Sequence, residues 1–567
     1  MKIFNLLNTS LFESIDAAFS FERGEFDELD LGFFPSSIQE HGDYSSSAPL
    51  KLSKRLKSSP REIAEEIVKR IKSKLIKSIS IDGPGFINIY VTDDAKVDEI
   101  KNAVQKEDDW AFKKRRGSKA LVEFVSSNPT GPLHVGHGRG AVLGVAISNL
   151  LESQGFDVDK EYYVNDAGRQ ISILALSVLL ETFKNNLDKE GLYRGDYIKG
   201  LAKKFQKTNL LKKTLKPDVS LSSDTDKRLD QLIEFFQLEE PEVWKNIQDF
   251  SVKEMVRIIK SDLLEMGINH DKWFYESSVG KFDDANSLLF QSVNEIKGKN
   301  LTYDLDGAIW FKSTSFGDDK DRVLVRENGQ PTYYLTDIGY HKNKIDRGYQ
   351  HYINIFGADH HGYVKRITSA FNTLKNEDQS LEVILYQLVS LFESGKKRQM
   401  STRKGDYYSL DQLRNEIGPD VIKFFFLEKK SDHTIDFDIT KAKEESKTNP
   451  YFYTQYAHVR CCSILDKKVP DLTREFDIKE ITKNFDLLNK IINYPKLLEN
   501  FTFERSPHSL VHFLKELAAN FHSFYETNPV LVKDLKVANS RLLITKATQV
   551  VLKNGLEILS VKPLSKM

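Results

Sequence analysis

Two histidines flank a Val-Gly pair at His134–His137, at the point where a predicted strand gives way to a predicted helix. The apolar run 119–126 predicts a buried strand, and the apolar face of 138–152 predicts a helix. The free N–H groups and the positive end of the helix dipole at such a junction favour a bound anion. His134 and His137 add hydrogen-bond donors for a phosphate, and Gly136 leaves space for a flat base against the backbone. The arrangement therefore predicts a nucleotide phosphate site.

A second glycine-bearing segment, 357–362, follows the apolar strand predicted at 352–356. Open α/β sheets bind ligands beyond the carboxyl ends of their strands, so this segment is a candidate for the same nucleotide. Clustered Asp and His side chains also fit a metal site, which is the alternative interpretation.

Two carboxylates, Glu123 and Asp337, lie in segments expected to flank that pocket. A guanidinium group is always charged and presents a planar fork of donors, which carboxylates match with paired hydrogen bonds. A lone Glu in a strand is otherwise a surface charge. The apolar neighbours Leu121, Val122 and Phe124 favour a buried position in the pocket.

The elements that position these residues predict an α/β fold. Strands expected at 119–125, 352–356 and 383–389 alternate with helices, which indicates a doubly wound parallel sheet of Rossmann type. The expected domains are a small N-terminal α/β domain, a catalytic domain with a polar insertion, and an all-α helical bundle. Their expected bounds are 1–112, 113–440 with the insertion at about 185–300, and 441–567, with helices at 449–466, 478–499, 508–526 and 536–560.

Composition excludes several classes of protein. The 567 residues carry 82 basic and 82 acidic side chains, so the net charge neither announces nor excludes a nucleic-acid partner. The two cysteines are adjacent, at Cys461 and Cys462, which rules out a disulfide framework or a cysteine-rich structural zinc site. No apolar run reaches the roughly 18 residues that a membrane span needs, and no signal-like N-terminus is present, so we expect a cytoplasmic protein.

Longer blocks around these motifs give the chain a specific resemblance. The His-Val-Gly-His tetrad resembles the HIGH motif of class I aminoacyl-tRNA synthetases. The segments 123–140, 162–171, 316–326 and 332–341 are similar to blocks of the bacterial-type arginyl-tRNA synthetases. The resemblance extends over essentially the whole chain. It implies a ligase that activates arginine with MgATP and passes the arginyl group to the terminal adenosine of tRNA(Arg), with the first step generally requiring the bound tRNA.

The resemblance also implies roles for individual residues. Arginine would be bound by Glu123, Asn128, Tyr333, Asp337 and Gln170, with Asn165 and Asp166 nearby. ATP would be bound by His134, Gly136, His137, Gly357, Asp359 and His360. The tRNA elbow would be contacted by the N-terminal domain through Phe86 and Asn88, and the anticodon by the helical domain through Tyr453, Tyr456 and Arg460, with Gln455 and His458 as further candidates. No resident metal is implied, and the family is usually monomeric.

One motif departs from the family pattern. The segment 399–405 resembles the KMSKS loop, a mobile lid over the phosphates. Gln399 stands at the first lysine position and Thr402 at the second, catalytic one. The loop residues assigned to catalysis are Met400, Ser401, Arg403 and Lys404, and the preceding Lys396–Arg398 could also supply a cation. Two alternatives stay open: a non-catalytic relative that binds tRNA or senses arginine, and another amino-acid specificity on the same scaffold.

Overall fold

A computed structural model describes residues 2–20, 31–36, 38–183, 189–208, 221–398 and 408–567. The chain forms two compact units, Met1–Lys114 with Glu445–Met567, and Arg115–Glu444. The N-terminal and C-terminal segments, which the sequence predicts as two domains, both lie in the first unit. No helix within the described ranges is long and apolar enough to cross a membrane.

The N-terminal part of the first unit is a four-stranded antiparallel sheet with helices, in the strand order β1-β2-β4-β3. Ser59 begins helix α3 with a capping box, and Pro60 occupies its first turn, so sequence signals fix this start. The elements are α1 (Lys2–Phe19), β1 (Phe34–Pro35), β2 (Tyr44–Ser46), α2 (Ala48–Leu56), α3 (Pro60–Val68), β3 (Ile76–Asp82), β4 (Phe86–Val91), α4 (Asp93–Lys106) and α5 (Asp108–Ala111).

The second unit contains the strands and helices that carry the candidate site. They are β5 (Lys119–Phe124), α6 (Val135–Ser153), β6 (Asp157–Val164), α7 (Arg169–Thr182), α8 (Asp196–Gln206), α9 (Thr225–Glu239), α10 (Pro241–Glu265), β7 (Lys272–Tyr275), α11 (Leu288–Gly298), β8 (Thr302–Leu305), β9 (Ala308–Phe311), β10 (Arg322–Val325), α12 (Tyr333–Asp346), β11 (His351–Gly357), α13 (Val364–Leu374), β12 (Ser380–Tyr386), β13 (Val389–Glu393), β14 (Lys396–Lys397), α14 (Leu410–Ile417), α15 (Pro419–Leu427), β15 (Ile435–Asp438) and α16 (Ile439–Lys443).

A five-stranded parallel sheet is the centre of this unit, in the order β12-β11-β5-β6-β7. The chain runs from β5 to one side through β6 and β7, and later returns to the other side through β11 and β12. The order therefore switches between β5 and β11, where doubly wound sheets form their ligand crevice. The predicted fold class is confirmed.

Two sequence-based boundaries differ from the structure. Helices α7 to α10 pack around their own apolar cluster and interrupt the sheet pattern, as an insertion should. Strand β7, however, lies inside the stretch 185–300 and pairs with β6 as the edge strand of the central sheet. The single strand expected at 383–389 is instead two, with β12 ending at Tyr386 and β13 starting at Val389 in a different sheet.

Helix α6 is fixed closely against the sheet. A methyl group on Gly144 would stand 2.1 Å from the ring of Phe124 on β5, so only glycine permits this approach. The buried Arg139 donates to the carbonyls of Gln387 (2.6 Å) and Lys430 (3.0 Å). These contacts set the position of the helix that begins in the histidine tetrad.

The C-terminal part of the first unit is helical, as predicted. Asn449 caps α17 and Pro450 opens it. The helices are α17 (Pro450–Leu465), α18 (Ile478–Thr482), α19 (Phe485–Phe503), α20 (Pro507–Thr527) and α21 (Leu535–Ile558).

Candidate active site

His134 and His137 form the start of helix α6. His134 is the N-cap residue, and its Nδ1 accepts a hydrogen bond from the backbone N–H of His137 (3.3 Å). In return His137 Nδ1 accepts from the N–H of His134 (3.4 Å), and the two rings stack with centroids 3.6 Å apart. A Cβ on Gly136 would stand 2.9 Å from the His134 ring, so the glycine is required for this arrangement.

The protonation of the two rings follows from these contacts. Burial lowers the pKa of both histidines, and burial together with the charge of His134 lowers the pKa of His137 to about 3. Both rings are therefore neutral near pH 7. Since each Nδ1 accepts a hydrogen bond, each proton resides on Nε2. The pair presents two N–H donors at a helix N-terminus, which suits a phosphate.

The segment after β11 lies beside the histidines. Gly357 ends the strand, and residues 358–363 form a 3-10 turn. The carboxylate of Asp359 opposes the effect of burial on the pKa of His134, which places the two groups near each other. Asp359 also pairs with His360 at 3.6 Å. Among the described residues no group of three His, Cys, Asp or Glu is arranged to hold a metal.

Residues 399–407 lie outside the described part of the chain, so Met400, Ser401, Arg403 and Lys404 remain sequence predictions. The residues on either side of this segment are positioned. Arg398 stacks over the ring of Tyr408 at 4.7 Å. Leu410 N–H donates to the carbonyl of Leu133 (2.8 Å), which joins the chain after the loop to the histidine tetrad.

Acidic side chains converge at the carboxyl ends of β5 and β7 and the start of α12. Asp337 lies in the second turn of α12, where its Oδ2 is inaccessible to solvent and has no hydrogen-bond partner among the described residues. Burial and the charges of Glu276 and Glu123 raise the pKa of Asp337 well above its ordinary value. Burial also raises the pKa of Glu276, which accepts from the hydroxyl of Tyr163 (2.8 Å). A buried carboxylate oxygen without a partner is costly, and a bound cation would remove that cost.

Glu123 has a different environment from the one expected. Its side chain is buried, with 3% of the residue exposed, so the predicted burial is confirmed. Its Oε2 accepts from Lys344 Nζ at 2.5 Å, and its Oε1 accepts from Ser126 Oγ at 3.0 Å. The family resemblance predicts that this carboxylate contacts the arginine directly. In the structure the buried Lys344 already forms an ion pair with the Glu123 carboxylate.

The other expected arginine-binding residues lie at the same edge. Asn128 donates to Gln170 Oε1 at 2.8 Å, so two of them form one hydrogen-bonded pair. Tyr333 is 72% exposed and begins α12 one turn before Asp337, on the same side of the helix. Asp166 accepts from the N–H and hydroxyl of Ser277, next to Glu276.

Two site residues escaped the sequence analysis. Glu276 directly follows β7, a strand hidden in the expected insertion, so its position at a strand end was not recognised. Lys344 lies seven residues after Asp337, which is two helical turns and hence the same face of α12. That spacing was available in the sequence, but a lysine on a helix is usually exposed.

The RNA-contact candidates of the N-terminal segment differ in exposure. Phe86 is half-buried at the start of β4. Asn88 is 2% exposed; its amide donates to Asp82 and its Oδ1 accepts from Ser45 Oγ (2.7 Å). A hydrogen bond from Asn88 to an RNA base would need the side chain to leave both partners. The structure thus gives no support to the role predicted for Asn88, because the residue serves the sheet.

The helical segment brings its polar aromatic candidates together. The guanidinium of Arg460 lies over the rings of Tyr456 (5.1 Å) and Tyr525 (4.8 Å), and Tyr456 stacks on His522. Tyr453 packs against the same His522 ring. By contrast the further candidates Gln455 and His458 are buried and hold the C-terminal backbone: Gln455 donates to Lys562 O (2.8 Å) and His458 Nδ1 to Leu564 O (2.7 Å).

Comparisons with known protein families identify the class of protein to which this chain belongs. Residues 99–446 match the family described as tRNA synthetases class I (R), catalytic domain. Residues 6–91 match the arginyl tRNA synthetase N terminal domain, and 454–567 match the DALR anticodon binding domain. The sheet and the histidine tetrad are thus those of a class I aminoacyl-tRNA synthetase.

Individual proteins similar to this chain identify its family within that class. An arginine--tRNA ligase from Nitrosospira multiformis is 39% identical over 96% of both chains. One from Legionella pneumophila (strain Corby) is 38% identical over 94% of both. The arginyl-tRNA synthetase structure from Thermus thermophilus shares the fold, with a TM-score of 0.77, 22% identity, and coverage of 99% of this chain and 100% of that chain. The chain belongs to the arginyl-tRNA synthetase family.

Proposed function

We propose that this protein joins L-arginine to tRNA(Arg) in two steps, with ATP as the energy source. The observation that carries the proposal is the carboxylate of Asp337, whose Oδ2 is inaccessible to solvent and has no hydrogen-bond partner in the described part of the chain, and which lies close enough to Glu276 for that charge to raise its pKa. Two neighbouring carboxylates match a planar guanidinium, and a cation between them would offset both the burial and the repulsion by Glu276 and Glu123 that raise the pKa of Asp337.

Activation joins the two halves of the site. With the guanidinium on Asp337 and Glu276, we expect the hydrogen-bonded pair Asn128 and Gln170 to bind polar groups nearer the reacting end. An oxygen of the arginine carboxylate attacks the α-phosphorus of ATP, and the bond to the bridging oxygen breaks as pyrophosphate leaves. The Nε2–H donors of His134 and His137 stabilise charge on the phosphate oxygens, which is where preformed donors accelerate a reaction most.

Transfer completes the reaction. A ribose hydroxyl of the terminal adenosine of the tRNA attacks the arginyl carbonyl, an ester bond forms, and AMP departs with the electrons of the anhydride bond. Magnesium would enter with ATP. It would neutralise phosphate charge, and the exposed Asp359 beside His134 fits the one or two carboxylates that such a site uses.

Two surfaces of the first unit support binding of tRNA. Between residues 51 and 77 ten Lys and Arg stand against three Glu, although the whole chain is neutral. Such a cluster on one segment suits the phosphate backbone. The cluster of Tyr453, Tyr456, Arg460 and Tyr525 offers ring and guanidinium planes of the kind that stack on unpaired bases. A cytoplasmic monomer remains our expectation.

Substitution of Asp337 tests the arginine site. We expect Asp337→Asn to raise KM for arginine by about 100-fold or more in tRNA charging, because a neutral amide cannot pair with the guanidinium. KM for ATP should change by less than about threefold. Asp378→Asn is the matched control, since this exposed carboxylate precedes β12 at the opposite edge of the sheet. An unchanged KM for arginine in Asp337→Asn would remove the assignment.

The pH dependence gives a second readout. The pKa of Asp337 is raised in the empty site and should fall when a guanidinium binds, so binding releases a proton. KM for arginine should therefore decrease as pH rises toward that raised pKa and level off above it. The Asp337→Asn variant should lose this dependence, because its amide does not titrate.

One observation favours a second candidate function. Thr402 stands where the family's lid has its catalytic lysine. A non-catalytic relative that binds tRNA or senses arginine would bind either ligand without forming pyrophosphate. Separate substitution of Arg403 and Lys404 tests the catalytic alternative: one of them should slow adenylate formation if it replaces the missing lysine.

A further inference from the structure

Lys344 is a fully buried cation behind the proposed arginine pocket. It lies on α12 with 0% of its surface exposed. Its Nζ donates to Glu123 Oε2 at 2.5 Å and to Asn354 Oδ1 at 2.9 Å, and it stands 4.4 Å from the centre of the Tyr340 ring. A lysine is almost never this deeply buried unless its ammonium group is paired, and here Glu123 is the paired acid.

One branch of this network leads to the turn after β5. Glu123 Oε1 accepts from Ser126 Oγ, and that hydroxyl oxygen accepts from Tyr163 N–H (3.1 Å). Val125 and Ser126 both have positive φ, at 70° and 40°, which is strained for residues other than glycine. Glu123 therefore holds a strained turn two residues before Asn128.

The other branch leads to Asp337. Asn354 Oδ1 is taken by Lys344, so its amide nitrogen faces His341 Nε2 at 3.3 Å. An amide nitrogen only donates, which makes Nε2 the acceptor and places the His341 proton on Nδ1. Nδ1 then donates to the carbonyl of Asp337 at 2.8 Å. One ammonium group thus connects the strained turn at one wall with the Asp337 turn at the other.

The ion pair between Lys344 and Glu123 also changes the net charge around Asp337. Three carboxylates, Glu123, Asp337 and Glu276, lie close enough for the first and third to raise the pKa of the second. Lys344 neutralises one of the three internally. Asp337 and Glu276 are then the two acids that we assign to the guanidinium; Glu276 also accepts from Tyr163, and the charge of Arg366 acts on Asp337.

We propose that Lys344 is a positioning residue for arginine recognition: its ammonium group takes Glu123 away from the substrate, fixes both walls of the pocket, and leaves the guanidinium to Asp337 and Glu276. This inference rests on the proposed function. It differs from the expectation of a direct contact between Glu123 and the guanidinium, and it assigns a role to a residue that touches neither substrate.

A double-mutant cycle tests this role by ATP–pyrophosphate exchange in the presence of tRNA, with KM for arginine, KM for ATP and kcat measured for each protein. Lys344→Met leaves Glu123 buried without its cation, and Glu123→Gln leaves Lys344 buried without its carboxylate. We expect each single variant to raise KM for arginine about tenfold or more, with a smaller change in kcat and in KM for ATP. The double variant replaces a buried ion pair by two neutral side chains, a change that proteins often tolerate.

The KM for arginine of the double variant distinguishes an indirect from a direct role of Glu123. If Lys344 acts through Glu123, adding Glu123→Gln to Lys344→Met should lower KM for arginine about threefold or more relative to Lys344→Met alone. If Glu123 binds the guanidinium directly, the second substitution should raise KM further, and the inference is overturned. If Lys344→Met does not fold, the double variant is compared with the wild-type protein: a KM for arginine within about threefold of the wild-type value supports the inference, and a rise of about tenfold or more overturns it. Failure of the wild-type protein to activate arginine would instead overturn the proposed function.

Discussion

At the scale of single residues, the site combines groups whose protonation is set by burial. The two histidines of the tetrad are neutral donors, because burial lowers the pKa of each and each Nδ1 is already an acceptor. The pKa of Asp337 is shifted in the opposite direction, since burial and two neighbouring acids favour its neutral form. At this edge of the sheet the N–H donors of the two histidines suit a phosphate, and the acidic side chains around Asp337 suit a cation.

His134 has two separable tasks, helix capping and donation to phosphate. Asparagine also caps helices well, whereas alanine in a cap position costs about 1 kcal/mol. We expect His134→Asn and His134→Ala both to slow adenylate formation by roughly 100-fold or more, because each lacks the Nε2–H donor. Only His134→Ala should also lower the thermal midpoint. An active His134→Asn protein would show that capping is the only task of this residue.

At the scale of elements, the approach of α6 to β5 decides where the tetrad stands. Gly144→Ala should destabilise the protein by about 1–3 kcal/mol, because the new methyl group would meet the Phe124 ring. Gly200→Ala is the matched control on α8, where nothing lies within 4 Å of the added Cβ, and it should stabilise by up to about 1 kcal/mol. Thermal unfolding followed by circular dichroism measures both. Equal effects of the two substitutions would contradict the close packing described for α6.

The same elements show what the sequence could predict. Helix α6 and strands β5 and β11 have strong apolar patterns and clear starts, and the structure has them within a few residues of the expected positions. The histidine tetrad and the segment after β11 were found because each follows a recognisable strand. Strand β7 was missed because four residues within a polar stretch carry too little periodic signal.

The pairing of buried side chains was beyond the sequence. Glu123 and Lys344 are 221 residues apart, and nothing local shows that they meet. The resemblance to the family's N-terminal domain made Asn88 a candidate for contact with an RNA base, but its side chain is hydrogen-bonded to Ser45 and Asp82, and those partners lie on other segments of the chain. Gln455 and His458 lie on the face of α17 that receives the C-terminal backbone, which a helical pattern alone does not reveal.

At the scale of the whole molecule, each unit has a share of the proposed reaction. The second unit carries the acids, the donors and the positioned ends of the lid segment. The first unit combines the chain's two ends, with a basic segment near the N-terminus and an aromatic and guanidinium cluster near the C-terminus. A tRNA that binds both surfaces of the first unit would explain why one family keeps all three segments in one chain.

The central claim is that this chain activates arginine, and ATP–pyrophosphate exchange with each of the twenty amino acids, with and without bulk tRNA, tests it most directly. We expect exchange with arginine alone, and only when tRNA is present. Absence of exchange with every amino acid, despite measurable binding of tRNA, would contradict the account and identify a non-catalytic relative with Thr402 as its altered lid residue.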